Sequence, residues 1–291
     1  MLLPVILSLL PIALASPVQL PFLSPNPTLS TTDSNRTLVP LSLGVMSRCP
    51  DAEICETLID RVLDTHTSRA GREVVGDLVK LKLIYLAKAN STSDSATYGG
   101  LTCLHGPLEC KANVQQLCAA SHWSKSIASP KSQDLESGAN EGFEPWTNAE
   151  KGRGEWKDWW NFVQCMNYGR RDEVGKDSLA KSCAKVVGRE WTKELEECSS
   201  DSPDSEGAKL FRKSVERSKQ LKIEKSCSII LNSKKICVHD GTWKECSNGH
   251  EVGDFVSQIK AEYDRLNSPK KSDDLDDEQY EDDDEDDWLF M

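Results

Sequence analysis

Apolar and polar positions in the first third of the chain alternate in ways that predict a strand, a helix and a second strand. Residues 39–46 (VPLSLGVM) alternate apolar and small side chains, which is typical of a strand. From residue 52 to about 69 the apolar residues recur at helical spacing, and residues 79–87 (VKLKLIYLA) predict the next strand. This order predicts a βαβ unit.

The second half of the chain predicts a block of helices, then a strand, a hairpin and a last helix. The helices are expected at 155–168, 176–187, 190–198 and 208–219, and the last one at 251–266. Residues 227–231 (CSIIL) predict a strand, and Asp240-Gly241 between two short apolar runs predicts a hairpin turn. Without the helical insertion at 155–219, the order is the β-α-β, β-β-α order of a thioredoxin-like α/β fold.

The beginning of the chain has the pattern of a secretory signal. Residues 1–15 are apolar and uncharged, and they end in the small-x-small triplet Ala13-Leu14-Ala15. Such a segment is too short to cross a bilayer comfortably, so a cleaved signal peptide is predicted and no membrane span is expected in the mature chain. Residues 16–38 are rich in Pro, Ser and Thr and predict a flexible leader.

The negative charge is concentrated at the other end. The chain has 35 Lys and Arg against 47 Asp and Glu, a net charge of −12, and residues 273–287 hold 12 of the acidic residues and no basic one. The remainder is neutral, which argues against an electrostatic nucleic-acid binder. Residues 267–291 are therefore predicted to be an acidic disordered tail, and 125–154 a surface loop insertion in a domain that spans 39–266.

Cysteine usage indicates an oxidising compartment. Eleven cysteines in a chain with a signal peptide predict a disulfide-rich protein, and their odd number leaves at least one thiol free or paired outside the chain. Asn35 and Asn90 each begin an N-glycosylation acceptor triplet. We therefore expect a glycoprotein that is secreted or resides in an endolysosomal or vacuolar lumen.

The most specific pattern in the chain is C-x-H-G-x-x-E-C-x-x-N-x-x-x-x-C. Its fixed residues are Cys103, His105, Gly106, Glu109, Cys110, Asn113 and Cys118. This pattern is the signature of the gamma-interferon-inducible lysosomal thiol reductase (GILT) family, which the chain resembles over roughly residues 39–265. The resemblance implies a disulfide-rich thioredoxin-like fold and a thiol reductase that acts on protein disulfides without a cofactor.

The same residues allow an alternative interpretation as a zinc site. Structural zinc sites usually bring their ligands in closely spaced pairs, whereas the cysteines of this motif are 7 and 8 residues apart. We therefore expect no metal, and we interpret His105 and Glu109 as anchors of a loop-to-helix turn.

The resemblance also places the active site at the start of the first helix, where the family carries C-x-x-C. Residues 49–52 read Cys-Pro-Asp-Ala, so Cys49 is present and Ala52 replaces the second cysteine. A helix N-terminus stabilises a thiolate, which makes Cys49 the candidate nucleophile. Cys55 lies about 9 Å further along the helix and cannot resolve Cys49, so it is expected to be buried or in a structural disulfide.

Cys227 is the candidate for the missing half of the site. In thioredoxin-like folds a cis-proline that contacts the active-site cysteine begins this strand, and Cys227 takes its place when counted back from Asn232. Proximity of Cys49 and Cys227 leaves three outcomes open: a structural disulfide, a redox-active pair or two free thiols. Cys237 and Cys246 flank the hairpin turn at a spacing that suits a structural disulfide.

Two functions compete at this point. The first is a thiol-disulfide oxidoreductase that reduces protein disulfides through Cys49 and is resolved by Cys227, a second substrate thiol or a small-molecule thiol. The second is a catalytically silent, disulfide-stapled luminal module that binds unfolded or thiol-bearing chains. Ala52 favours the binding module, whereas Cys49 and the intact motif favour the enzyme.

Overall fold

The structure, a computed structural model, describes residues 36–68, 71–89, 98, 100–125 and 155–269. The predicted signal peptide, both glycosylation acceptors, nearly all of the loop insertion and the acidic tail lie outside the described residues. Within the described part of the chain, no helix combines the length and the apolar composition needed to cross a membrane.

A five-stranded sheet forms the centre of the fold, with the strand order β2-β1-β5-β6-β7. Its strands are β1 (Val39–Val45), β2 (Val79–Tyr85), β5 (Ser228–Leu231), β6 (Lys234–Asp240) and β7 (Thr242–Lys244). The short strands β3 (Lys88–Ala89) and β4 (Leu101–Thr102) pair separately. Strand β1 runs parallel to β2 and antiparallel to β5, so Leu41 lies opposite both Leu81 and Leu231.

Seven helices are described around this sheet. They are α1 (Pro50–Leu63), α2 (Pro107–Lys125), α3 (Glu155–Tyr168), α4 (Asp177–Val186), α5 (Lys193–Cys198), α6 (Glu206–Gln220) and α7 (Val252–Asn267). Helix α1 packs against α7 and contacts α3 and β6, whereas α6 packs on α2 and β2. The N-terminus of α1 is thereby held between the sheet and the inserted helices.

The topology confirms the predicted fold class. The elements β1, α1, β2, β5, β6 and α7 follow the thioredoxin-like order, and α3–α6 form the helical insertion. Among the boundaries that differ from the prediction, the largest difference is in α1, which ends at Leu63 rather than near residue 69. The chain turns after the helix, and His66 then forms an isolated bridge with Val74.

All eleven cysteines lie within the described residues, and ten of them form five disulfides. The pairs are Cys55–Cys227, Cys103–Cys110, Cys118–Cys198, Cys165–Cys183 and Cys237–Cys246. Cys49 is the remaining free thiol. The pair expected across the hairpin, Cys237 and Cys246, is joined with its Cα atoms 4.3 Å apart.

Candidate active site

Cys49 is the residue that caps the N-terminus of α1. Its backbone is extended, with φ −82° and ψ 127°, and Pro50 takes the first helical position, where its missing N–H is not needed. The backbone N–H of Cys49 donates to the carbonyl of Met46 at 2.9 Å. The Cys49 residue is 8% exposed, and its thiol faces the carbonyl oxygen of Ser226, with 3.8 Å between sulfur and oxygen.

The loop that leads into Cys49 is held by residues of the family motif. The backbone N–H of Ser47 donates to Asn113 Oδ1 at 3.1 Å, and the Ser47 hydroxyl donates to the carbonyl of Glu109 at 3.2 Å. Arg48 Nη1 donates to the carbonyl of His105 at 3.1 Å. The motif therefore forms the support on which the candidate nucleophile is positioned.

The motif residues form a turn before α2 that is closed by a disulfide and by hydrogen bonds. Cys103 and Cys110 are joined with their Cα atoms 5.5 Å apart, across the turn that opens α2. Inside the turn, the N–H of His105 donates to Glu109 Oε1 at 3.1 Å, and His105 Nδ1 forms a hydrogen bond with Glu109 Oε2. Gly106 has a φ of +90°, a backbone conformation that residues other than glycine rarely adopt. His105, Gly106 and Glu109 thus act on the shape of the turn.

The zinc interpretation of the motif is wrong, because a sulfur bound in a disulfide is not available as a thiolate ligand. All three motif cysteines are in disulfides, and that of Cys118 with Cys198 ties α2 to α5. Beside it, His122, Glu206 and the Cys198 sulfur lie within 4.8 Å of one another. Since that sulfur is already bonded to Cys118, the group offers one imidazole and one carboxylate, which hydrogen-bond each other at 2.8 Å.

The interpretation of Cys227 as a resolving or paired thiol for Cys49, one of the outcomes left open by the sequence, is wrong. Cys227 forms a disulfide with Cys55, with 6.1 Å between the Cα atoms, so it is neither a free resolving thiol nor a partner of Cys49. The Ser226–Cys227 peptide bond is cis, and the Cys49 thiol meets the Ser226 carbonyl rather than the Cys227 sulfur. The reason lies in α1, where Cys55 is on the fully buried face and meets Cys227 in the interior.

Cys49 opens onto a small polar cleft of about 160 Å³. The cleft is lined by Ser47, Arg48, Cys49, Glu53, Asn167, Gly169, Arg171 and Val174. Arg171 Nη2 and Glu53 Oε2 lie 4.0 Å apart, which places an opposite pair of charges beside the thiol. Arg48 Nε donates to the carbonyl of Arg171 at 3.0 Å and so joins the Cys49 loop to the turn after α3.

A buried carboxyl group lies behind the cleft, two turns into α1. Glu56 is 1% exposed and accepts a hydrogen bond from Asn167 Nδ2 at 2.6 Å. Burial raises the pKa of Glu56 from 4.5 to about 8, the bond from Asn167 acts against this rise, and the nearby Glu53 adds to it. Glu56 is therefore mostly protonated and neutral at acidic and neutral pH.

The start of α1 is anchored to the hairpin by Asp51. Its Oδ1 atom accepts hydrogen bonds from His239 Nδ1 at 2.7 Å and from the backbone N–H of Gly241 at 2.8 Å. His239 is buried, and its ring packs edge-on against Trp243. This contact fixes the helix N-terminus from the side of the sheet.

Sequence reasoning does not single out Asn167, Arg171 or Glu56. The first two follow Cys49 by more than a hundred positions and belong to the helical insertion, so no local pattern links them to the site. Glu56 does leave a signal, because it is a carboxylate on the helical stripe that also contains Ala52 and Ile59. A charged residue on a buried face is a recognised indicator of a functional or strongly perturbed group.

Comparison with known families supports the family resemblance that the motif indicates. The model of the family described as "Gamma interferon inducible lysosomal thiol reductase (GILT)" matches residues 40–136, which include Cys49 and the whole motif. This match confirms the resemblance over about a third of the chain. No curated protein matches the sequence.

Among solved structures, the chain is similar to several thiol-disulfide proteins of bacteria. DsbA from Mycobacterium tuberculosis is 13% identical at a TM-score of 0.38, with 82% of this chain and 87% of that chain covered. A putative protein disulfide isomerase from Nitrosomonas europaea is 9% identical at 0.44, with 79% and 100% covered. MdbA, a thiol-disulfide oxidoreductase from Corynebacterium diphtheriae, is 15% identical at 0.40, with 78% and 86% covered.

Proposed function

We propose that this chain, whose residues 40–136 match the gamma interferon inducible lysosomal thiol reductase family, is a thiol-disulfide oxidoreductase that reduces protein disulfides through the single thiol of Cys49. The observation that carries the proposal is the state of the cysteines. Ten are bonded, and the one free thiol belongs to Cys49. Cys49 occupies the N-cap position of α1, follows a loop that the family motif holds, and lines a polar cleft.

The proposed reaction begins when the Cys49 thiolate attacks one sulfur of a substrate disulfide. A mixed disulfide forms between Cys49 and that sulfur, and the other substrate sulfur leaves as a thiolate and takes up a proton. Ala52 stands where a resolving cysteine would be, and Cys55 is bonded to Cys227. A thiol from another molecule therefore has to attack the mixed disulfide, and two external thiols are oxidised for each substrate disulfide reduced.

We place the protein in the lumen of the secretory pathway, either secreted or endolysosomal or vacuolar. Five disulfides favour an oxidising compartment over a reducing cytosol. An acidic lumen also suits Glu56, because a buried carboxyl group is best tolerated in its neutral form.

The test is the reduction of insulin by the full mature chain with a small thiol as reductant, at acidic and neutral pH. The wild-type rate should exceed that of the reductant alone, and Cys49→Ser should remove the increase. Equal rates for the two proteins would eliminate Cys49 as the nucleophile.

The absence of a second free thiol favours one alternative, a luminal module that binds unfolded or thiol-bearing chains without turnover. That alternative predicts stable capture of reduced insulin chains together with no gain in rate over the reductant. The same assay separates the two functions, because turnover and capture are read from the same reaction.

A further inference from the structure

The proposed reaction requires an external thiol, and the cleft beside Cys49 limits what that thiol can be. At about 160 Å³ the cleft has room for a small molecule and not for a folded domain. Its lining is polar, with two arginines, a glutamate and an asparagine around the thiol. Small size and charge together favour a charged ligand of low molecular weight.

Two of these polar groups already have partners within the protein. The Arg48 guanidinium donates to the carbonyls of His105 and Arg171, at 3.1 Å and 3.0 Å. The Asn167 amide donates to Glu56 at 2.6 Å. Both residues are therefore committed to holding the walls of the cleft.

The charges of Arg171 and Glu53 are less committed. Their side chains are 57% and 51% exposed, and the 4.0 Å between Nη2 and Oε2 is too long for a hydrogen bond. A ligand that carries a carboxylate and an ammonium close together can satisfy both side chains at once. Arg is well suited to the carboxylate, because its planar donors match the two oxygens.

We propose that this cleft binds a small thiol of the α-amino-acid type, with its carboxylate on Arg171, its ammonium on Glu53 and its sulfur directed at Cys49. The inference rests on the proposed function, since it names the reductant of the same site. Arg171 and Glu53 are specificity-determining residues for that reductant.

The steps balance as two successive thiol-disulfide exchanges. The bound thiolate attacks the Cys49 sulfur in the mixed disulfide, forms a bond to it, and releases the substrate sulfur as a thiolate that takes up a proton. A second small thiolate then attacks the small-molecule sulfur and frees the Cys49 thiolate. The two small thiols leave as their disulfide, and their two electrons have reduced the substrate.

The expected preference is modest, because charges more than half exposed are screened by water. Pairs of this kind contribute up to about 1 kcal/mol each, which corresponds to about three- to fivefold in rate for one contact. A thiol that makes both contacts should therefore react about tenfold faster than a neutral thiol at equal thiolate concentration.

The test isolates the resolving step. Cys49 of the full mature chain is first converted to its mixed disulfide with neutral 4,4′-dithiodipyridine, and release of 4-thiopyridone by added thiols is followed by absorbance. L-cysteine is compared with cysteamine, 3-mercaptopropionate and 2-mercaptoethanol, which lack the carboxylate, the ammonium or both. We expect L-cysteine to be fastest after correction for thiolate concentration.

The variants assign the contacts. Arg171→Gln should slow L-cysteine and 3-mercaptopropionate about three- to fivefold and leave cysteamine unchanged, whereas Glu53→Gln should slow L-cysteine and cysteamine. Arg170→Gln is the matched control, because that arginine is exposed, pairs with Asp172 and lies outside the cleft lining.

Equal rates for all four thiols, or equal losses in Arg171→Gln and Arg170→Gln, would overturn the inference. The outcome is independent of the insulin assay, because the mixed disulfide is made chemically. Insulin turnover without thiol selectivity removes only the inference, whereas selectivity without insulin turnover removes only the proposed function.

Discussion

Two cysteines, one at the N-cap that opens the first turn of α1 and one in its second turn, are in opposite states. Cys49 begins the helix with a free thiol at the edge of a polar cleft. Cys55 is fully buried and is bonded to Cys227, which lies immediately before β5. Between them, Ala52 is 1% exposed and contributes no sulfur.

This difference separates two tasks that a C-x-x-C site combines. Attack on a disulfide needs one thiol at a helix N-terminus, and the first turn retains it. Release of the mixed disulfide needs a second thiol within reach, and the second turn has committed its sulfur to a bond across 172 residues. A fold can therefore keep the nucleophile and assign its resolution to another molecule.

The largest effect is expected for Ala52→Cys, which introduces a second thiol in the first turn, three residues after Cys49. Residues three apart on a helix are close enough for a disulfide, so the new thiol should resolve the Cys49 mixed disulfide within the molecule. At about 10 µM external thiol, an intramolecular thiol at millimolar effective concentration should shorten the lifetime of the Cys49 mixed disulfide about 100-fold. Stopped-flow release of the mixed disulfide measures this, and an unchanged lifetime would contradict the proposed separation of tasks.

The next effect concerns the second turn. The double variant Cys55→Ala/Cys227→Ala should lower the free energy of unfolding by about 5 kcal/mol, because the bond closes a loop of 172 residues. Cys237→Ala/Cys246→Ala is the control and should lose only about half as much, since its loop spans 9 residues. Urea unfolding measures both. At temperatures where the Cys55→Ala/Cys227→Ala variant is folded, Cys49 should remain reactive. A loss of Cys49 reactivity in that folded variant would show that the Cys55–Cys227 disulfide is needed for catalysis.

Glu56 predicts how stability depends on pH around α1. The pKa of Glu56 is about 8 in the folded protein and 4.5 ordinarily, so the folded state binds the proton more tightly than the unfolded state. Its contribution to stability is complete below pH 4.5 and is lost as pH rises through about 8. The loss is up to about 5 kcal/mol between acidic and alkaline pH.

The measurement is urea unfolding across that pH range for wild type and Glu56→Gln. The variant keeps an acceptor for Asn167 and should show a flatter pH profile, with the largest gain at alkaline pH. Glu216→Gln removes an exposed carboxylate on α6 and should leave the profile unchanged. Identical profiles for wild type and Glu56→Gln would show that the buried carboxyl group does not govern the response.

The smallest effect tests the support behind the first turn. Asn113→Ala removes the acceptor of the Ser47 N–H and should cost about 1–3 kcal/mol, because that buried donor is left without a partner. Insulin turnover should also fall about tenfold as Cys49 loses its position. Gln116→Ala on the same helix removes a buried amide that binds Tyr85 instead. Equal turnover in the two variants would mean that the motif does not position Cys49.

Local patterns were sufficient for the order of the main elements and for the position of Cys49 at a helix start. The apolar alternation of β1, the turn at Asp240-Gly241 and the helix start at Cys49-Pro50 depend on neighbours in sequence, and the structure has all three. The odd number of cysteines predicted at least one thiol without a partner in the chain, but it did not identify which one.

Contacts between segments far apart in the chain could not be predicted from the sequence. Helical geometry excluded Cys55 as a partner of Cys49, but it carried no information on what faces Cys55 across the core. The true partner, Cys227, depends on how α1 packs on the sheet. The same holds for Arg171, which reaches the cleft only because α3 packs beside α1.

The most direct test is a count of free thiols in the native protein. The purified protein is unfolded in the presence of an alkylating reagent without reductant, digested and analysed by mass spectrometry. We predict one alkylated cysteine, Cys49, together with the five disulfides, including Cys55–Cys227. A disulfide between Cys49 and any other cysteine of the chain, or free thiols at Cys55 and Cys227, would contradict the assignment of Cys49 as the only nucleophile.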